Sequence, residues 1–296
     1  YLVESPARLY LLQRRGKEPL LGNRAIIRQR IFPLRIFLGI CRVCFKRALG
    51  LRKIDHKTIF IERYIMKTIF LTGATGFLGG ESLVSLSKDK RVEKIYCLIR
   101  AVNNEDAEKR LEKIFAFHDD YFDRKKVIPV AGDLSEESII DKLKSLNDVD
   151  TVIHSAADTS FAPNHKENIW KVNVIGAGNV AKWAANLSRL KTFVYVGTSW
   201  ICGCDRPDRL VCEDESPNTE YNQLRDYTRS KTAGEINIRK TIPANKLLVV
   251  RPSSIAGDSR SWMPRSFVIS WAFAVFDLLR LIPTESKAGM DIIPVD

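Results

Sequence analysis

The stretch Lys67-Thr68-Ile69-Phe70-Leu71-Thr72-Gly73-Ala74-Thr75-Gly76-Phe77-Leu78-Gly79 decides the fold. A short β-rich apolar run leads into a glycine-rich turn, and the turn leads into a helical pattern. Glycines at such a junction let backbone N–H groups approach phosphate oxygens where a Cβ would clash, and the following helix points its positive end at the charge. This is the chemistry that a dinucleotide pyrophosphate requires. Alone, the turn is equally compatible with a tight strand–helix junction that binds nothing, so the rest of the chain has to decide.

Downstream of the turn, short β-rich runs near 67–72, 94–100, 126–130, 149–154, 191–198 and 246–251 alternate with helical stretches at 77–88, 103–117, 135–146, 167–188 and 224–240. Ser135, with Glu136, Glu137 and Ser138 behind it, reads as an acidic helix start. Such alternation predicts an α/β fold, a doubly wound parallel Rossmann sheet covered on both faces. The Gly, Pro and Asp content around 203–220 marks a long connection, and residues 252–296 read as part of a smaller, truncated substrate subdomain.

Charge is distributed unevenly. The formal net charge is +12, but residues 1–65 hold 15 Lys and Arg against Glu4, Glu18, Asp55 and Glu62, which leaves residues 66–296 nearly neutral. That balance removes the electrostatic case for nucleic-acid binding by the main domain. Residues 1–65 show no sustained period, and Met66 reads as a natural start that runs directly into the first strand, so the basic segment is expected to lie outside the folded domain. An Arg-rich targeting segment is the competing reading. Arg35 and Arg42 interrupt the apolar run there, and Asp277 and Arg280 follow the one at 267–276, so no transmembrane span is expected. The latter run reads either as an acyl-pocket wall or as a packing helix. The six cysteines lack a second metal knuckle to complement Cys41 and Cys44, which favours free thiols, no metal and a reducing, cytoplasmic setting.

Chemistry is carried by Tyr227-Thr228-Arg229-Ser230-Lys231. A phenol is a poor acid–base group at neutral pH, and a nearby lysine ammonium is expected to favour its ionised form. Ile95-Tyr96-Cys97-Leu98-Ile99-Arg100 ends where a second strand would lie beside the adenosine ribose. An acidic residue at that place would favour NAD, whereas Arg100 can meet a 2′-phosphate, so NADPH is the expected cofactor, with NADH second. His154, before Ser155-Ala156-Ala157-Asp158, reads as part of the cofactor wall rather than as a metal ligand.

These motifs, with Gly132-Asp133-Leu134, Asn173-Val174-Ile175-Gly176 and Arg251-Pro252-Ser253, resemble the extended short-chain dehydrogenase/reductase superfamily. Leu98-Ile99-Arg100-Ala101, Phe193-Val194-Tyr195-Val196-Gly197-Thr198-Ser199, the stretch 227–235 and Asp291-Ile292-Ile293-Pro294-Val295-Asp296 look most like its fatty acyl-CoA reductase and carrier-protein thioester reductase branch, the male sterility type. The resemblance covers residues 67–296. It implies a cofactor site of Gly73, Thr75, Gly76, Phe77, Leu78, Gly79, Arg100, Asp133, Leu134, Ala156, Ala157, Lys231 and Pro252, with Asp133 at the adenine edge and Lys231 on the nicotinamide ribose. It further implies Tyr227 as proton donor and Thr198, or the adjacent Ser199, as the hydroxyl that polarises the carbonyl. The turn Trp200-Ile201-Cys202 departs from the branch pattern. The implied activity is NADPH-dependent reduction of an acyl-CoA or acyl carrier protein thioester to aldehyde or alcohol. Two other readings of the same scaffold are an NAD-dependent nucleotide-sugar epimerase or dehydratase, which Arg100 disfavours, and a nonenzymatic dinucleotide sensor, which has no need of Tyr227 and Lys231.

Overall fold

The computed structural model describes residues 66–160, 163–203, 215–217, 219, 225–255, 278, 292 and 293. The expectations for residues 1–65, the middle of the 203–220 connection and the apolar run 267–276 lie outside them. Strand β1 (Thr68–Thr72) is buried along its whole length and enters the glycine turn, from which α1 (Phe77–Lys88) departs. Then follow β2 (Lys94–Ile99), α2 (Asn104–Phe117), β3 (Val127–Ala131), the short α3 (Ile139–Leu143) and β4 (Thr151–His154). A continuous helical segment comes next: α4 (Lys166–Trp170), one π-helical turn (Lys171–Gly176) and α5 (Ala177–Ala185). Strand β5 (Thr192–Val196), a 3₁₀ turn (Ser199–Cys202), α6 (Asp226–Thr241) and β6 (Leu247–Val250) complete the main domain.

The six strands pair in the order β3-β2-β1-β4-β5-β6, and every pairing is parallel. The order reverses beside β1, and at such a switch point the carboxyl ends of the strands open a crevice. Burial of both faces follows from the strand sequences, which are runs of apolar and β-branched residues rather than alternations. On one face Leu83 and Leu86 of α1 and Leu111 and Phe115 of α2 pack over Ile69, Leu71, Ile95 and Cys97. On the other, Val180 and Trp183 of α5 and Ile238 of α6 cover Phe70, Val152, Phe193 and Tyr195. The small parallel pair β7 (Ser254–Ile255) and β8 (Ile292–Ile293) lies beyond β6.

Helix starts follow local chemistry. Asn103 caps α2 by accepting the Asp106 N–H at 2.8 Å, and Glu105 and Asp106 fill the first turn. The acidic start expected at Ser135 forms a turn instead. The Asp133 carboxylate accepts the Ser135 N–H at 2.9 Å and its hydroxyl at 2.7 Å, and the helix begins four residues later at Ile139. An Asx turn competes successfully with helix initiation here because one carboxylate oxygen satisfies two donors.

Among the described residues, no helix is long and apolar enough to cross a membrane.

Candidate active site

Residues from every strand end around the switch point line one cleft of about 1230 Å³. All the cofactor-site residues expected from sequence are among them, as are Thr198, Tyr227 and Lys231. Ser199 is absent from the lining, which favours Thr198 as the hydroxyl that faces the cleft.

The floor is built by two glycines. Gly73 has φ of +76°, and a Cβ there would sit 2.7 Å from the Ala156 nitrogen, so only glycine lets the β1 end pass the backbone after β4. A Cβ on Gly79 would collide with the Gly73 carbonyl, so α1 can start this close to the turn only without a side chain. The turn is closed by the Gly76 N–H donating to the Gly73 carbonyl at 2.9 Å, and the first turn of α1 carries no acidic residue. An uncapped, acid-free helix start behind a glycine turn suits an anion.

Thr72 and His154 tie β1 to β4 beneath this floor. The Thr72 hydroxyl accepts the Ala156 N–H at 3.2 Å and hydrogen-bonds His154 Nδ1 at 2.9 Å. His154 is buried, its Nε2 has no partner among the described residues, and burial followed by repulsion from Lys231 pushes its pKa down to about 3. The imidazole is therefore neutral. It lies parallel to the Tyr195 ring with centroids 5.9 Å apart, since these residues are register partners on adjacent strands.

Above Tyr195 sits Lys231 of α6. Its ammonium donates to the Val196 carbonyl at 2.7 Å and lies 4.5 Å from the Tyr195 ring centroid. Burial lowers its pKa to about 7, against an opposing pull from Glu235 one helical turn on. Tyr227, one turn earlier, hydrogen-bonds the Thr198 hydroxyl. The phenol was expected to be lowered by Lys231. Instead burial dominates and raises it, with the Thr198 bond a partial offset, so it stays protonated at neutral pH. Thr198 also accepts the Trp200 N–H at 3.3 Å, which starts the 3₁₀ turn and fixes the hydroxyl-bearing residue at the β5 end.

Two contributors were not assigned from sequence. Arg110 of α2 reaches the cleft, and its guanidinium hydrogen-bonds the Arg100 carbonyl, so two guanidinium groups flank the β2 end. The i+10 spacing carries no periodic signal, and only the folded return of α2 brings them together. Asn173 sits in the π turn, where its amide donates to the Asp158 carbonyl and to the Ser230 hydroxyl, both at 2.9 Å, and its oxygen accepts the Asp158 N–H at 2.8 Å. Two of these bonds reach the loop after β4 and one reaches α6, so Asn173 bridges them beside Lys231. Single π turns of this kind concentrate at functional sites because they re-aim one side chain within a helix.

Comparison with known proteins places this geometry. The family model described as Male sterility protein, an NAD-binding domain, matches residues 71–296. Fatty acyl-CoA reductase 8 of Arabidopsis thaliana is 29% identical over 195 residues, 56% of this chain and 39% of that protein. Isonitrile lipopeptide synthase of Mycobacterium tuberculosis is 32% identical over 216 residues, 66% of this chain and 8% of that protein. The chain thus spans about half or less of the length of the curated relatives it matches. Among solved structures, the terminal R domain from the myxalamid PKS-NRPS biosynthetic pathway superposes with a TM-score of 0.67 at 25% identity, over 78% of this chain and 60% of that one.

Proposed function

Since the chain belongs to the Male sterility protein family of NAD(P)-binding, extended short-chain dehydrogenases/reductases, we propose that it is an NADPH-dependent reductase acting on acyl thioesters, with acyl-CoA or an acyl carrier protein as the donor. The observation that carries this reading is the convergence in one cleft of an anion-accepting glycine turn and a Thr198–Tyr227–Lys231 cluster. The names of similar proteins, a fatty acyl-CoA reductase and a biosynthetic R domain, support the thioester as substrate class.

The cleft fits a dinucleotide. The two cradle positions that a Cβ would fill, Gly73 and Gly79, take the pyrophosphate against the α1 start, and Arg100 with Arg110 takes the 2′-phosphate. Lys231 holds the nicotinamide ribose, and Asp133, Leu134, Ala156, Ala157 and Pro252 complete the walls. When bound, NADPH supplies the hydride.

The chain's own residues handle charge and proton. As the carbonyl carbon of the thioester is reduced, negative charge grows on its oxygen, and donors fixed in place before reaction stabilise that charge without reorganising. The Thr198 and Tyr227 hydroxyls are such donors. Tyr227 is protonated before the reaction, which is the state a proton donor requires, and Lys231 supplies the positive charge that stabilises the phenolate left behind. Collapse of the resulting thiohemiacetal releases thiol and aldehyde. With a second equivalent of reduced cofactor, the same groups would serve reduction of the aldehyde to an alcohol.

The test is consumption of reduced nicotinamide, followed by absorbance, with long-chain acyl-CoA, acyl carrier thioesters and fatty aldehydes offered in parallel. Turnover with a thioester is the expected result. Cofactor binding without turnover on any of the three would overturn this reading and bring nucleotide sugars forward as substrates.

A further inference from the structure

Two residues with no part in the chemistry above meet behind it. Glu235, one turn past Lys231, is completely buried. Its carboxylate receives the Arg251 fork, Nη2 to Oε1 at 2.6 Å and Nε to Oε2 at 3.1 Å, and also Arg239 Nε at 2.8 Å. Arg251 follows β6 directly and donates in addition to the Glu215 carbonyl at 2.9 Å. Around the pair, β5 and β6 stay zipped beyond the sheet, with the Gly197 N–H on the Val250 carbonyl at 2.7 Å and the Ser199 N–H on the Pro252 carbonyl at 3.0 Å. Gly197 packs against both partners: a Cβ there would lie 3.4 Å from Glu235 Oε2 and 3.5 Å from Arg251 Cγ. One ion pair thus touches the helix of Tyr227 and Lys231, the strand end of Thr198, and the segment entering β7.

A buried ion pair is weak evidence for stability, because desolvation offsets its attraction and an apolar pair of equal volume often does as well. Stability alone therefore does not account for it. Resting on the reductase reading, we propose that Glu235 and Arg251 are positioning residues, whose buried pair sets the placement of α6 against the Thr198 strand end and the charge of Lys231.

Among the described residues, three titratable groups interact with Lys231 from the elements around it: His154 from β4, Tyr195 from β5 and Glu235 from its own helix. Burial keeps His154 neutral above about pH 3 and pushes the Tyr195 phenol up from its ordinary value. Glu235, backed by Arg251 and Arg239, is the carboxylate that favours the ammonium. The bidentate fork fixes an angle as well as a distance, which a lysine at 251 cannot do.

The experiment uses the full chain with ¹³Cε-labelled lysine, the Lys231 resonance being assigned by its loss in Lys231→Met. In Glu235→Gln the Lys231 titration is expected to move down by about one pH unit, which cuts its charged fraction about fivefold at pH 7. The kcat for the thioester should fall in parallel and recover toward lower pH, while the NADPH Kd changes less than kcat. In Arg251→Lys, kcat is expected to fall about tenfold or more without a comparable downward move of the titration. An unmoved Lys231 titration in Glu235→Gln, or an unchanged kcat in Arg251→Lys, would overturn the proposal. If Glu235→Gln does not fold, Arg251→Lys decides by its kcat and by its titration. If the wild-type protein turns over no thioester, the reductase reading fails by itself, and the NMR titration still decides the tie between Glu235 and Lys231.

Discussion

The Lys231 ammonium is held by the Val196 carbonyl at 2.7 Å, a neutral acceptor in a site without water-exposed relief. A cation so placed serves the site at the expense of the fold. Its pKa is lowered from 10.5 to about 7, so the folded state binds its proton less tightly than the unfolded chain. The destabilisation begins as pH falls below 10.5 and is complete below about 7. Lys231→Met is therefore expected to lose turnover by about 10² or more, while Tm rises by about 2–4 °C or more near neutral pH. The gain should shrink toward pH 10. Scanning calorimetry at several pH values with a parallel rate assay checks both parts; a lowered Tm would show that Lys231 contributes more packing than strain.

The bond between the Thr198 and Tyr227 hydroxyls makes separable predictions. Tyr227→Phe removes the proposed proton donor but keeps the ring, so it should retain NADPH affinity while turnover falls by about 10²–10⁴. Thr198→Val removes one donor to the developing oxyanion and should cost about 10²–10³ in kcat. If the two act on one oxygen, as proposed, the double variant is expected to fall well short of the product of the single losses. Cofactor titration by fluorescence and steady-state rates with a thioester separate these terms, and near-normal turnover in Tyr227→Phe would remove the phenol from the mechanism.

Arg100 and Arg110 flank the β2 end and share a hydrogen bond. If both face a 2′-phosphate, Arg110→Ala should weaken NADPH binding by about tenfold and leave NADH nearly unaffected. Arg100→Asp should go further and shift preference toward NADH, because a carboxylate repels the phosphate and accepts from ribose hydroxyls. Paired Kd measurements for the two cofactors decide it. An unchanged ratio in both variants would make these arginines bystanders.

Much of this architecture is legible in the residues themselves. The expected range 77–88 for the first helix coincides with α1, and each of the six expected strands forms within two residues of its expected ends. Runs of β-branched residues and a glycine turn are local signals, and a parallel sheet buried on both faces reads them without competition. The expected helix 135–146 contracts to Ile139–Leu143 because Asp133 captures Ser135 in a turn. What the sequence conceals is set by long-range contact. Nothing near Tyr227 announces that burial outweighs any help from Lys231, and nothing near Arg110 announces its neighbour at the end of β2. The π turn at Asn173 also escapes, because the one-residue phase shift it makes falls between helices too short to define a period on either side.

The neutral imidazole of His154 gives the fold a pH dependence of its own. With its folded pKa lowered to about 3 against 6.5 in the unfolded chain, the unfolded state takes up a proton first as the solution is acidified. Stability from this group is therefore whole above about pH 6.5 and is lost progressively down to about pH 3. His154→Gln keeps a hydrogen-bonding partner for the Thr72 hydroxyl but cannot titrate. It loses the parallel contact with Tyr195, so it should be less stable than wild type by about 1 kcal/mol at pH 8. By pH 4.5 the wild type will have lost about 2–3 kcal/mol that the variant retains, and the two stability curves should cross between these values. Urea unfolding midpoints across that range test the sign directly. Parallel curves would mean that His154 gains a proton in the folded state, which would set a second positive charge beside Lys231.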